Sequence, residues 1–258
     1  MEADPRWRAV MLDHIERADP TRFAALMAAP PHSRAPLATL YVYNIEISRA
    51  PWASKEPMIA EMRLQWWRDA VEDTARGTIR GHEIMQPLAD LITAHDLPLE
   101  VLDRMAGARR WDIYKDAFEN QTAMDAYLDD TGGALMWLSG KTLGSTDEGA
   151  LRDFGWAAGL ATYLQAVPEL AQRGRIPLLD GRDAGIAALA QRGLDRLQSA
   201  RNQGILRNAH PALLAGWQAK PLLQMAVAEP GRVGEGALQL SEFSRRGRLL
   251  WQAFTHRW

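Results

Sequence analysis

No stretch of this chain alternates apolar and polar residues for long enough to make a half-buried β-strand. Apolar residues recur instead every three or four positions, which calls for helices that bury stripes against one another. The segment Glu56–Asp73 sets the strongest demand. Pro57 can open a helix because the first turn has no partner for its missing N–H. Met58, Met62, Trp66 and Ala70 form one row, and Ile59, Arg63, Trp67 and Val71 form the next. Two adjacent tryptophans make the apolar face too wide for a surface helix, so the spacing places this helix between others. Arg63 falls on the apolar side, where a guanidinium needs an acidic or carbonyl partner.

The same period recurs along the chain. Trp7 to Ile15 reads as a short helix, and Asp19-Pro20-Thr21 restarts one with an N-cap and a proline, running Arg22 to Ala28. Ser33 to Ala50 follows, stopped by Pro51-Trp52. After the tryptophan-rich helix come Ile84 to Ala94 and Leu99 to Trp111, then Met124 to Leu143, where Gly132-Gly133 admits a close neighbour. Asp147 to Leu170 and Asp183 to Arg201 are longer helices, and Ala212 to Trp217 and Leu222 to Ala228 are shorter ones. Glu229 to Gly236 reads as a loop. The last helix, Ala237 to Phe254, places Leu240, Phe243, Gly247, Leu250 and Phe254 on one face, with Arg245, Arg246 and Arg248 off it. The expectation is one all-α domain covering residues 1–258.

At 258 residues the chain can bury a sizeable core. Its net charge of −2 gives no global attraction for nucleic acid. Cysteine is absent, which removes disulfides, thiolate metal sites and cysteine nucleophiles together. The charged N-terminus lacks an apolar core segment, so no signal peptide is expected, and no window matches a membrane-spanning helix. These features fit a cytoplasmic protein. The six histidines are scattered without a ligand spacing, no glycine-rich phosphate loop follows a strand, and Ser33, Ser139 and Ser199 lack a nucleophile signature. Aspartates at i, i+4 aim two carboxylates from one helix face at one Mg²⁺. Asp69/Asp73, Asp112/Asp116 and Asp125/Asp129 have that spacing, as chance pairs in an acid-rich helical chain also do.

The run Arg34-x-x-Leu37-x-x-Leu40-Tyr41-x-Tyr43-Asn44-x-Glu46, then Glu56-Pro57-Met58-Ile59 and Arg63-Leu64-Gln65-Trp66-Trp67-Arg68, resembles the squalene/phytoene synthase family. Asp19-Pro20-x-Arg22-Phe23, Tyr127-x-x-x-Thr131-Gly132-Gly133, Gly155-x-Ala157 and Gly174-Arg175-Ile176-Pro177 fall in the family's order. The resemblance implies an isoprenoid-synthase bundle around a central cavity. It also implies two aspartate-rich motifs that hold Mg²⁺ against prenyl diphosphates during head-to-head condensation. At the first motif's positions stand Ile45, Ser48, Arg49 and Trp52, and at the second's stand Gly159, Thr162, Gln165, Ala166 and Leu170. Glu169 is displaced by one residue, and Pro168 is expected to interrupt the helix.

A subgroup whose mitochondrial member is an assembly factor for respiratory complex I is matched further by Asn44/Glu46, Arg63/Gln65/Trp67, Val71/Glu72/Asp73 and Leu164-x-Ala166-x-Pro168. That resemblance implies a non-catalytic assembly or chaperone protein without a cofactor. It also implies a membrane-complex subunit as client and a weak peripheral contact with the inner membrane from the cytoplasmic side. Two alternatives stay open. One is prenyl transfer with Mg²⁺ held by relocated Asp69, Asp73, Asp125 and Asp129; the other is binding of a prenyl lipid without reaction. Arg34, Tyr41, Asn44, Glu46, Arg63 and Gln65 are the polar candidates for the cavity or the core. Glu46 and Arg63 are expected to pair inside the bundle, and Trp66 and Trp67 to be core residues.

Overall fold

Each expected period closes into a helix. A computed structural model describes residues 5–258, with side chains from residue 9 onward, so the Trp7 side chain lies outside the described set. No strand occurs among the described residues. α1 (Pro5–Ala18) and α2 (Pro20–Ala28) meet at Asp19, whose carboxylate accepts the Arg22 N–H at 2.9 Å. α3 (Pro31–Arg49) is buried without a break from Leu37 to Ile45. It can be buried on every side because no charge interrupts the chain between Arg34 and Glu46. A 3₁₀ turn, Ala50–Trp52, leads to α4 (Pro57–Ala75), which ends where Gly77 takes a φ of 74°. α5 (Met85–His95) and α6 (Leu99–Ala108) follow.

α7 (Gln121–Leu128) runs into a π-helical turn, Asp129–Gly133, and on into α8 (Ala134–Thr142). α9 (Glu148–Gln172) and α10 (Asp183–Gln203) are the long helices, followed by α11 (His210–Leu213), α12 (Ala219–Ala228), α13 (Gly231–Gly234) and α14 (Glu242–Thr255). The chain divides into two compact units. One gathers the described residues up to Tyr114 with Leu138–Thr146 and Asn208–Ala215. In it α1, α5 and α6 pack against α3, and α4 packs on α6. The other comprises Lys115–Trp137, Asp147–Arg207 and Gly216–Trp258, where α10, α12 and the π turn pack on α9.

Five expectations need correction. α4 is not enclosed: its buried stripe is Ala60, Leu64, Trp67, Ala70 and Val71, while Met58 and Met62 are 75% and 66% exposed. The helix of this unit with an unbroken buried stretch is α3, from Leu37 to Ile45. Met124–Leu143 is not one regular helix, because the π turn inserts a wider loop at Gly132-Gly133. Pro168 does not end α9, since buried Val167 and Leu170 flank it and its ring costs one intrahelical hydrogen bond. The final helix starts at Ser241, whose hydroxyl accepts the Ser244 N–H, so Leu240 lies outside it. Within the expected loop Glu229–Gly236, residues 231–234 form the short α13.

Candidate functional site

The end of α3, the 3₁₀ turn and the first half of α4 enclose a cavity of about 650 Å³. Trp67 forms its floor, edge-on to Tyr43 at 5.9 Å and to His82 at 4.9 Å. Trp66 stands at right angles to Trp67, 4.9 Å away, and the Arg80 guanidinium lies 5.9 Å from its ring. Trp52, Ala50 and Ala53 complete the apolar wall. Trp67 is buried as expected of a core residue, whereas Trp66 is only half-buried.

The polar side of this cavity is mostly cationic. Arg49 and Arg63 line it with His82, and Glu46 is its one carboxylate. Glu46 does not pair with Arg63. Its Oε1 lies 3.1 Å from His14 Nε2, and its Oε2 lies 4.0 Å from His82 Nε2. The same His14 nitrogen lies 3.1 Å from Arg49 Nη1. One ring nitrogen cannot both accept from a guanidinium and donate to a carboxylate, so the tautomer of the His14 ring decides which contact is a hydrogen bond. Arg63 is exposed and forms no ion pair among the described residues. The expected buried pair fails because α4 buries the stripe Ala60, Leu64, Trp67 and Val71, which leaves Arg63 exposed beside it while Glu46 turns to the histidines.

Magnesium needs hard oxygen donors, and the positions that the resemblance assigns to the first motif do not supply them. Ile45 is buried apolar, Ser48 donates its hydroxyl to the Ile45 carbonyl at 2.9 Å, Arg49 is a cation and Trp52 is a partly exposed indole. The second set is no better suited. Gly159 packs against Gly132, and Thr162 donates to the Ala158 carbonyl at 3.1 Å. Gln165 donates to the Leu238 carbonyl at 2.9 Å, Leu170 is buried and Ala166 is half-buried. Glu169 is exposed and paired with Arg173. Among the described residues no group of three or more His, Asp or Glu side chains is placed to hold a metal ion.

Arginines already occupy five of the six spaced aspartates, and Asp116 is exposed. Arg80 lies 2.7 Å from Asp73 and 3.6 Å from Asp69, and Gln65 also donates to Asp69 at 2.6 Å. Arg192 holds Asp125 at 2.5 Å, Arg152 holds Asp129 at 3.0 Å, and Arg109 lies 3.5 Å from Asp112. Of the polar candidates, only Glu46 and Arg63 reach the cavity. Arg34 caps the end of α2, donating to the Met27 and Ala29 carbonyls. Tyr41 is buried beneath the Arg22 guanidinium, and burial pushes its hydroxyl up to about 12. Asn44 is buried and accepts from Arg109 at 3.4 Å.

The sequence of residues 15–228 matches the model of the squalene/phytoene synthase family. The chain belongs to that family. Curated relatives within reach carry names of another kind: "NADH dehydrogenase (ubiquinone) complex I, assembly factor 6" of Mus musculus is 24% identical over 168 residues, covering 64% of this chain and 50% of that protein. The corresponding homolog of Drosophila melanogaster is 27% identical over 174 residues, covering 64% and 52%. The chain therefore spans about half the length of the curated relatives it matches. A dehydrosqualene synthase crystallised with a ligand aligns with a TM-score of 0.75 at 14% identity, covering 97% of this chain and 96% of that one. Squalene synthase HpnC from Alicyclobacillus acidocaldarius aligns with a TM-score of 0.68 at 15% identity, covering 88% and 96%. These likenesses establish the all-helical isoprenoid-synthase fold.

Within this squalene/phytoene synthase-family chain, the residues that sequence reasoning missed are His14 and His82. Neither has a ligand spacing in the sequence, yet they converge on Glu46 from separate elements. Their only signal in the sequence was an acidic residue at the end of a long apolar run that had to find partners.

Proposed function

We propose that this chain is a non-catalytic assembly factor for respiratory complex I, built on a prenyl-synthase fold whose metal-binding chemistry has been replaced. The observation that carries this reading is the Arg49–His14–Glu46 cluster, which sets a guanidinium where the resemblance expects a magnesium-binding aspartate. A leaving diphosphate is stabilised by metal ions held on carboxylates. One carboxylate, already engaged by two histidines, does not provide that. The names of the mouse and fly relatives supply the client class. Prenyl transfer by relocated pairs would first have to strip Arg80, Arg152 and Arg192 from Asp69, Asp73, Asp125 and Asp129. Binding of a prenyl chain without reaction is the second reading, favoured by the three tryptophans that wall the cavity.

Two measurements test this. Purified protein incubated with farnesyl or geranylgeranyl diphosphate and Mg²⁺ is expected to release no pyrophosphate above a blank. Steady release that disappears in Asp125→Ala would establish a prenyltransferase instead. In the host, removal of the gene is expected to lower NADH–quinone reductase activity of the membranes, with an Arg49→Asp copy failing to restore it. Unchanged reductase activity after removal would sink the assembly role.

A further inference from the structure

Helix α14 leaves its apolar face in water. None of its residues is buried, and Phe243 and Phe254 are 90% and 89% exposed, Leu250 69% and Trp251 52%. At 100° per residue, Phe243, Leu250 and Phe254 share one line on the helix, with Trp251 on its shoulder. The opposite side, Arg245, Leu249, Gln252 and Ala253, is half-buried. Trp258 supplies a tether: its ring stands edge-on to Phe154 at 4.9 Å, and Arg201 donates to its backbone oxygen. The amphipathic stripe is therefore real but faces outward, contrary to the usual fate of a final helix, which is to close its bundle.

Charge identifies what covers this face. Residues 242–258 contain Arg245, Arg246, Arg248 and Arg257 against the single acidic Glu242, in a chain whose net charge is −2. Arg245 is spent on Glu242 at 2.7 Å, and Arg246 reaches the same carboxylate only at 3.8 Å. Arg246 and Arg248 are exposed and flank the apolar line on its two sides. A second copy docking through the same face would bring these cations together. An anionic lipid leaflet would neutralise them while taking up the phenylalanines. Trp251, between the apolar line and Arg248, has the amphipathic ring suited to that boundary.

We infer that α14 is a membrane-docking helix that lies flat in the surface of an anionic bilayer, burying Phe243, Leu250, Trp251 and Phe254 and setting Arg246 and Arg248 among the headgroups. Such a helix sinks roughly 5–10 Å into the interface and does not span it. The inference rests on this helix alone and stands whether or not the assembly role holds.

The test is flotation of the full chain with vesicles of phosphatidylcholine, alone or mixed with phosphatidylglycerol. The wild type is expected to float with the mixed vesicles, less so at high salt. Phe243→Ser with Phe254→Ser is expected to weaken this binding on the order of a hundredfold, from the loss of two buried aromatic side chains. Arg246→Gln with Arg248→Gln is expected to weaken binding to the mixed vesicles roughly ten- to thirtyfold and leave the small binding to phosphatidylcholine unchanged. Because the four side chains are exposed, the thermal transition of both variants is expected to match the wild type, which checks folding. A wild type that stays with the soluble fraction overturns the inference, as does a double-serine variant that floats equally well. A double-serine variant whose only change is the conversion of a dimer to a monomer in sedimentation also overturns it, in favour of a second copy.

Discussion

Arg63 and Glu46 line one cavity and make separate arrangements, and that separation has a measurable consequence. An exposed arginine without an ion pair contributes little, so Arg63→Met is expected to change the unfolding free energy in urea by less than about 0.5 kcal/mol. Trp67, which touches Tyr43 and His82 below it, is a different case: Trp67→Ala is expected to cost about 3–5 kcal/mol. A large loss from Arg63→Met would mean that the guanidinium does meet a buried partner. Some residue roles were legible beforehand. Asp19 as a cap followed from Asp-Pro-Thr, and Trp67 as core followed from its row. Arg63 was not legible, because its row contains Ile59, Trp67 and Val71 and only the packing on α6 decides which edge of that row meets water. The use of Arg34 as a cap for α2 was equally hidden, since it depends on how the chain turns at Pro30-Pro31.

Helix existence was readable nearly everywhere, and the misses fall where backbone geometry departs from a regular α-helix. The glycines at 132 and 133 announced a close approach, and the π turn is how it is made. A Cβ on Gly132 would sit 2.5 Å from the Gly155 carbonyl oxygen, and one on Gly155 would collide with the Gly132 carbonyl. Backbone atoms on both sides leave no flexible side chain to yield. Gly155→Ala is therefore expected to destabilise by about 1–3 kcal/mol, toward the upper end, in chemical unfolding. Gly247 in α14 gives the opposite forecast. Nothing lies within 4 Å of its missing Cβ. Gly247→Ala is expected to raise helix content and stabilise α14 by about 0.5–1 kcal/mol, seen as slower amide exchange of Leu249–Ala253. Equal, neutral effects of the two substitutions would show that α9 and the π turn are not in such close contact. The outward face of α14 could not be read from its periodicity, because a stripe looks the same whether protein or lipid covers it.

At the scale of the whole molecule, the chain shares its fold with squalene and dehydrosqualene synthases at 14–15% identity. The architecture depends on apolar spacing, which many sequences satisfy, whereas a magnesium site depends on a few oxygen atoms. The proposed loss of those donors has a thermodynamic signature that does not need turnover to be seen. A ligand that binds only the native state stabilises it by about 2.7 kcal/mol at a hundred times its dissociation constant. In a protein of this size that amounts to a rise in melting temperature of roughly 5–10 °C. With inorganic pyrophosphate present, addition of MgCl₂ is expected to leave the melting temperature of this chain where NaCl of equal ionic strength leaves it. The same titration on an active family member is expected to show the rise. If this chain gains several degrees with Mg²⁺, and Asp125→Ala or Asp69→Ala removes the gain, then arginine-held aspartates exchange their partners for metal and the non-catalytic reading falls. If the gain survives both substitutions, the cation and pyrophosphate are held elsewhere, and Arg49→Ala decides whether the tryptophan-walled cavity is the place.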